Sequence, residues 1–174
     1  MIYYEDTQLI IRSMKENDIY ELKKEYDEQQ WPKDIKILQD YFNQQESYRK
    51  YIVVAEFNKK AAGYVTLLPQ AEYGPFINKN IPELVDLIVF EKYQRNGIGS
   101  RILDAAEDVA SGISDTISLS VGVHSGYGQA QRLYIKRGYI PDGSGVWYHN
   151  RQLEQYADCK NDDDLLLFLS KKLK

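Results

Sequence analysis

Apolar positions recur along this chain with two periods. The run QLIIRSM at residues 8–14 predicts a first strand, and Ile19, Leu22 and Tyr26 then follow at the three-to-four spacing of one helical face. Trp31 and Pro32 break that pattern, since proline cannot continue a helix. From Asp34 the positions Ile35, Leu38 and Phe42 predict a second short helix. The segments YIVVAEF (51–57) and AAGYVTLL (61–68) predict two strands joined by a turn at Asn58–Lys60, and Pro69 ends the second. The turn-forming stretch AEYGPFINKNIP (71–82) predicts an exposed connection, whereas ELVDLIVF (83–90) is apolar enough for a central strand.

Beyond QRNGIG (94–99), Ile98, Ile102, Ala106 and Val109 step by three or four while Arg101, Asp104 and Asp108 take the opposite face, which predicts an amphipathic helix. TISLSVGV (116–123) alternates Ile117, Leu119, Val121 and Val123 with Ser118, Ser120 and Gly122, so one face of that strand is apolar and the other unusually small. A helix from about Gly126 to Arg137 is expected to bury Ala130, Leu133 and Tyr134 and to stop at Gly138. A Gly- and Asp-rich loop, a strand near GVWYH and an apolar run LLLFL complete the chain. No internal repeat or linker interrupts it, and 174 residues fit one domain spanning 1–174.

Charge narrows the partners. A net charge of −4 offers no general cationic field for nucleic acid or an acidic membrane, and no apolar stretch approaches a membrane span. Cys159 is the only cysteine, which excludes an intrachain disulfide; with only His124 and His149 beside it, no metal site is expected. A reducing cytoplasm is the simplest location.

A strand, a loop with closely spaced glycines and a helix start direct several backbone N–H groups at one point, where the helix dipole also favours an anion. A P-loop requires Gly-Lys-Ser/Thr, but Gly99 is followed by Ser100 and Arg101. A dinucleotide loop requires a third glycine near Ile102 and an acid ending the next strand, where Val123 and His124 stand. Instead, VFEKYQRNGIGSRIL resembles the acyl-CoA loop of the GNAT acetyltransferase superfamily, with Gln94, Gly97 and Gly99 in its pattern. AQRLYIKRGY adds the family's second block through Ala130, Leu133, Tyr134, Gly138 and Tyr139. The resemblance covers about residues 8 to 141. It departs at Tyr127, where many members carry asparagine, and over Asp142–Asp162, which has no general family pattern.

The resemblance implies a mixed α/β fold whose central, mostly antiparallel sheet is flanked by helices. It also implies transfer of acetyl from acetyl-CoA, as co-substrate, to an amine of a small molecule or peptide. An alkylamine is protonated at neutral pH, so a base must free it. Glu83 falls on the family's carboxylate position; Asp86 competes for the role, and His124 is a third candidate. Tyr134 falls on the family's acid, which protonates the departing thiolate. Leu87, Ile88 and Val89 would supply backbone contacts to the pantetheine arm and a donor for the developing oxyanion. Gln94, Arg95, Asn96, Gly97, Gly99 and Ser100 would form the diphosphate cradle. The arm would run in the gap toward the small face of 116–123, giving a use to Ser118, Ser120 and Gly122. The acceptor would enter near Gln29, Trp31 and Pro32, with Trp147 and Tyr148 as a wall or, more ordinarily for such residues, as core. A homodimer is allowed for. The alternatives are an acyl-CoA-binding sensor or partner-binding domain without turnover, and a nucleotide-binding domain.

Overall fold

A computed structural model describes residues 1–173. Among them are β1 (Ile2–Glu5), β2 (Leu9–Ser13), α1 (Asp18–Glu28), α2 (Ile35–Glu46), β3 (Tyr51–Phe57), β4 (Lys60–Leu68), β5 (Glu83–Val89), α3 (Ile98–Ser111), β6 (Thr116–Gly122), α4 (Gly128–Lys136), β7 (Ile140–Tyr148), β8 (Arg151–Gln152) and β9 (Leu165–Lys172). The class is mixed α/β with mostly antiparallel strands, as expected. The chain divides into two compact units, residues 1–68 with 84–109, and residues 69–83 with 110 onward.

The first unit orders its strands β1-β2-β3-β4-β5. Consecutive residues Ile52, Val53, Val54 and Ala55 of β3 are all buried, so both faces of that strand are covered. On one face Ile19, Leu22 and Tyr26 of α1 and Leu38 and Tyr41 of α2 pack with Ile52, Val54, Tyr64 and Phe90. Trp31 and Phe42 border the same cluster. The start of α1 is tied down by a buried charge: Arg12 of β2 donates to both carboxylate oxygens of Asp18 at 2.6 and 2.9 Å and to Glu56 of β3 at 2.8 Å. Such a pair is costly to break, because either partner alone would be a buried unpaired charge. The amphipathic reading of α3 holds: Ile98, Ile102 and Ala106 are buried and Arg101, Asp104 and Asp108 exposed. Leu103 and Ala110 join the buried stripe, while Val109 is only half-buried.

The second unit orders its strands β6-β9-β7-β8. Its apolar run LLLFL is β9, with Phe168 buried and packed at 5.4 Å against the Trp147 ring and at 6.4 Å against Phe76.

Four segments depart from the sequence reading. β1 lies ahead of the first expected strand; IYYE is short and half polar, and its pairing with β2 makes it a strand. The connection 71–82 is anchored, not simply exposed, because Ala71 and Phe76 are buried and a Cβ on Gly74 would lie 2.3 Å from the Phe168 ring. The Gly- and Asp-rich loop at 142–145 is an irregularity inside β7, whose pairing with β9 shifts register between Pro141 and Val146. There Gly143 and Gly145 take φ of 87° and 78°, which glycine adopts without penalty. Finally α4 starts at Gly128 after a 3₁₀ turn at Ser125–Tyr127, and it buries Tyr134 while Ala130 and Leu133 remain half-buried.

In the first unit, β4 and β5 meet at a point with no room for a side chain. A Cβ on Gly63 would lie 2.3 Å from the Ile88 carbonyl oxygen and 3.0 Å from the Val89 Cα. Backbone, unlike a flexible side chain, cannot give way cheaply. Gly63→Ala should therefore cost roughly 1–3 kcal/mol, as overpacking does, and lower the urea midpoint without changing the denaturant slope. An unchanged midpoint would show slack between the two strands.

Candidate active site

The glycine loop lies wholly in the first unit. After β5 a 3₁₀ turn at Glu91–Tyr93 leads into Gln94, and α3 opens at Ile98. Between them Arg95 and Gly97 take left-handed backbone, φ 64° and 73°. A Cβ on Gly97 would meet no atom within 4 Å, so glycine is needed there for its φ and the space above it is open. Helix geometry leaves the N–H groups of Ile98 and Gly99 without intrahelical acceptors, while Arg101 N–H already donates to Gly97 O at 3.2 Å. The result is an open, positively polarised helix start, which suits a phosphate.

Two of the expected cradle residues brace the loop with their side chains. Gln94 donates its side-chain amide to Val89 O at 2.9 Å and its backbone N–H to Glu91 O at 3.1 Å, so it closes the turn on itself. Asn96 Nδ2 donates to the carbonyls of Tyr93 and Gln94 at 3.0 and 3.2 Å. Arg95 is exposed.

Along β5, Leu87, Ile88 and Val89 are half-buried although the run is strongly apolar. Asp86 interrupts the strand with a left-handed φ of 54° and an exposed carboxylate that accepts a hydrogen bond from the Tyr41 hydroxyl. That hydroxyl's pKa is driven upward by burial and by the Asp86 charge. Asp86 is thus paired with a neutral donor. Tyr41 was not legible as its partner, because 45 residues separate the two and no motif links them.

The second unit holds both residues expected to move protons. Glu83 is 5% exposed at the first position of β5. Burial pushes its carboxyl up to about 7, with the Glu72 charge adding to the rise and a hydrogen bond from the Glu72 backbone opposing it. Tyr134 is 7% exposed in α4, with its ring 5.8 Å from that of Tyr139, and burial pushes its hydroxyl up to about 12. It holds its proton at any physiological pH. His124 is committed elsewhere: its Nδ1 accepts from Gly126 N–H at 3.1 Å, which leaves Nε2 to donate to Asp163 at 3.0 Å.

The small face of β6 is already filled by the chain itself. Ser118 is fully buried, and both its N–H and its hydroxyl donate to Pro82 O at 2.8 and 3.0 Å. The Tyr127 ring covers Gly122 so closely that a Cβ there would lie 2.3 Å from it. The expected use of Ser118 and Gly122 beside a pantetheine arm is therefore corrected; only Ser120 stays half-buried. Tyr127, standing where asparagine was expected, also donates its hydroxyl to Asp163 at 3.0 Å.

The surroundings expected for an acceptor divide similarly. Trp31 packs on Tyr26 at 6.4 Å, and Gln29 accepts from the Glu91 backbone N–H. Trp147 is half-buried against the Phe76–Phe168 cluster, with its indole N–H donating to Ser144 at 2.8 Å. A cleft of about 540 Å³ is lined by Tyr148, His149, Arg151, Gln152, Leu153 and Glu154, among others. Among the described residues no three His, Cys, Asp or Glu side chains group as a metal site would, and no helix is long and apolar enough to cross a membrane.

The model of the Acetyltransferase (GNAT) family matches residues 16–139. An N-acetyltransferase from Staphylococcus aureus Mu50 is similar over 97% of this chain and 100% of its own, at 17% identity and a TM-score of 0.72. A putative acetyltransferase from Salmonella typhimurium, solved with its cofactor acetyl-CoA, is similar over 97% of this chain and 95% of its own, at 15% identity and a TM-score of 0.69. The ribosomal-protein-alanine N-acetyltransferase from Brucella melitensis is similar over 94% of this chain and 99% of its own, at 19% identity and a TM-score of 0.68. No curated protein sequence matches.

Two expectations follow from these geometries. A carboxyl whose pKa is higher in the folded than in the unfolded chain stabilises the fold while protonated. The Glu83 contribution is therefore complete below about pH 4.5, fades as pH rises and is gone above about 7. Glu83→Gln should gain thermal stability over the wild type at about pH 8 but not at about pH 4, by on the order of 3 kcal/mol at most. A pH-independent difference would show that Glu83 does not carry this shift. At the loop, Gly97→Asn keeps a residue that tolerates left-handed backbone and fills the open space above it. It should lower the melting temperature only slightly, the cost of a side chain at that φ being smallest for asparagine, and weaken coenzyme A binding at least about tenfold by calorimetry, a loss of ~1.4 kcal/mol. Undiminished binding would make the loop a turn and nothing more.

Proposed function

The chain belongs to the GNAT acetyltransferase family, and from that premise we propose that it moves an acetyl group from acetyl-CoA to an amine by direct attack, with Glu83 as base and Tyr134 as acid. The observation that carries this reading is the Glu83 carboxyl, buried yet ionisable near neutral pH because burial pushes it up to about 7. A base with that value is half-ionised at the pH of the cell and can take the amine's proton as attack on the thioester carbonyl acidifies the nitrogen.

Acetyl-CoA, when bound, supplies the thioester carbonyl. The protein's own groups do the rest. The open helix start at Gly97–Ser100 holds the diphosphate through backbone N–H groups, with Gln94 and Asn96 bracing the loop from within. The half-buried stretch of Leu87, Ile88 and Val89 receives the pantetheine arm and offers a backbone donor to the developing oxyanion. Glu83 takes the proton of the acceptor amine, and the Tyr134 hydroxyl, protonated at every physiological pH, donates to the departing sulfur. Asp86, paired to Tyr41, and His124, paired to Asp163, are less suited to the base role.

The acceptor is an amine of a peptide or small molecule. The Brucella relative, whose acceptor is a ribosomal-protein alanine, supports the peptide end of that range. The whole of residues 1–174 acts as one acyltransferase domain in a reducing cytoplasm under this proposal.

The kinetic signature of Glu83 is an acid limb in kcat with an apparent pKa near the value of about 7 set by its burial. Glu83→Gln should erase that limb, depress turnover most near neutral pH and recover partly in alkali, where free amine becomes abundant. A uniform loss at every pH would assign Glu83 a structural role. Tyr134→Phe keeps the ring's packing and removes one donor, so single-turnover transfer should slow by ~10²-fold with coenzyme A affinity intact. Transfer at the wild-type single-turnover rate would make Tyr134 a packing residue.

A further inference from the structure

The loop proposed to receive the diphosphate is joined to α1 by a polar clamp built from residues outside the glycine motif. Lys92, in the 3₁₀ turn just ahead of Gln94, places its Nζ 2.7 Å from Glu25 Oε2 and 2.6 Å from Glu28 Oε2. Glu25 is 3% exposed, and its other oxygen accepts from the Tyr93 hydroxyl at 3.1 Å. Gln29, one turn further along, accepts from the Glu91 backbone N–H. Three consecutive residues of the turn, Glu91, Lys92 and Tyr93, are thus each held by the last turn of α1 or the residue after it. The turn in turn holds the loop, since Asn96 donates to Tyr93 O. The Tyr93 ring also packs against Phe57 of β3 at 6.3 Å.

We infer that the Lys92–Glu25–Glu28 clamp is a positioning device for the cofactor loop, holding the backbone N–H groups of residues 95–100 in the geometry that grips the diphosphate. Tyr93 and the Gln29–Glu91 contact complete it. The chemistry favours this over a general stabilising role. Burying a carboxylate such as Glu25 is unfavourable unless it is paired, so the α1 end is in register with the turn only when Lys92 is in place. A shift of the turn moves Asn96 and with it the loop, and a displacement of about 1 Å in a positioning element can cost on the order of 10²-fold in function. Lys92 itself is 44% exposed, so its loss leaves no cavity in the core.

This inference rests on the proposed role of the loop, and its test separates the two. Lys92→Met, Lys92→Arg and wild type are compared by hydrogen exchange without ligand and by calorimetry with coenzyme A. Lys92→Met should speed exchange of the hydrogen-bonded amides that bracket the loop, those of Tyr93, Gln94 and Arg101, at least about tenfold while those of β3 and β4 keep their protection, and it should weaken coenzyme A binding by about tenfold. Lys92→Arg, which keeps the charge and the reach, should restore both. Unchanged exchange in the loop, or exchange raised equally throughout the first unit, overturns the clamp as a positioning device, and so does faster loop exchange with coenzyme A affinity retained. Failure of the wild type to bind coenzyme A sinks the acyltransferase reading instead, and loop exchange still decides whether the clamp orders the turn.

Discussion

A helix can hold an anion at its start only if the chain arrives there without covering its free N–H groups. In this protein that constraint is met by a left-handed step at Arg95 and again at Gly97, φ 64° and 73°. For a side-chain-bearing residue such as Arg95 the step costs about 1–2 kcal/mol. The cost is offset locally, because the Gln94 amide satisfies Val89 O and the Asn96 amide satisfies two carbonyls of the turn. Gly63 contributes from β4 by letting its backbone lie against Ile88, which sets the strand that delivers the chain to the turn. The proposed cofactor grip is therefore backbone geometry, with side chains serving to fix it.

The two carboxylates of β5 show how burial decides chemistry. Glu83 and Asp86 are three residues apart, but one is 5% exposed and the other open to solvent. Burial raises Glu83 into the neutral range, where a base is useful. Asp86 instead acts on its neighbour, adding to the burial that pushes the Tyr41 hydroxyl upward. Within the second unit the same principle keeps Tyr134 protonated.

Periodicity made α1, α2, α3 and the long strands legible, since each has one apolar stripe or a fully apolar run. It failed where partners far along the chain decide the outcome. IYYE became a strand through β2, and residues 142–145 stay within β7 because β9 pairs on either side of them. The small face of β6 was legible as small, but its occupants, Pro82 and Tyr127, were not. At the site, the glycine spacing was visible because left-handed backbone selects glycine. The bracing role of Gln94 was hidden behind the motif that contains it. The Lys92 clamp left no signal, since its partners stand 64 and 67 residues away in a helix that reads only as amphipathic.

The central claim, that this chain turns over acetyl-CoA against an amine, is tested most directly by thiol release. Acetyl-CoA is incubated with the full chain and a panel of peptide N-termini, polyamines and small amines, while free coenzyme A thiol and the acceptor's mass are followed together. The account predicts thiol release that depends on one class of amine, with one acetyl group gained per thiol freed. Tight coenzyme A binding with no thiol release on any acceptor would contradict it and make the chain an acyl-CoA sensor.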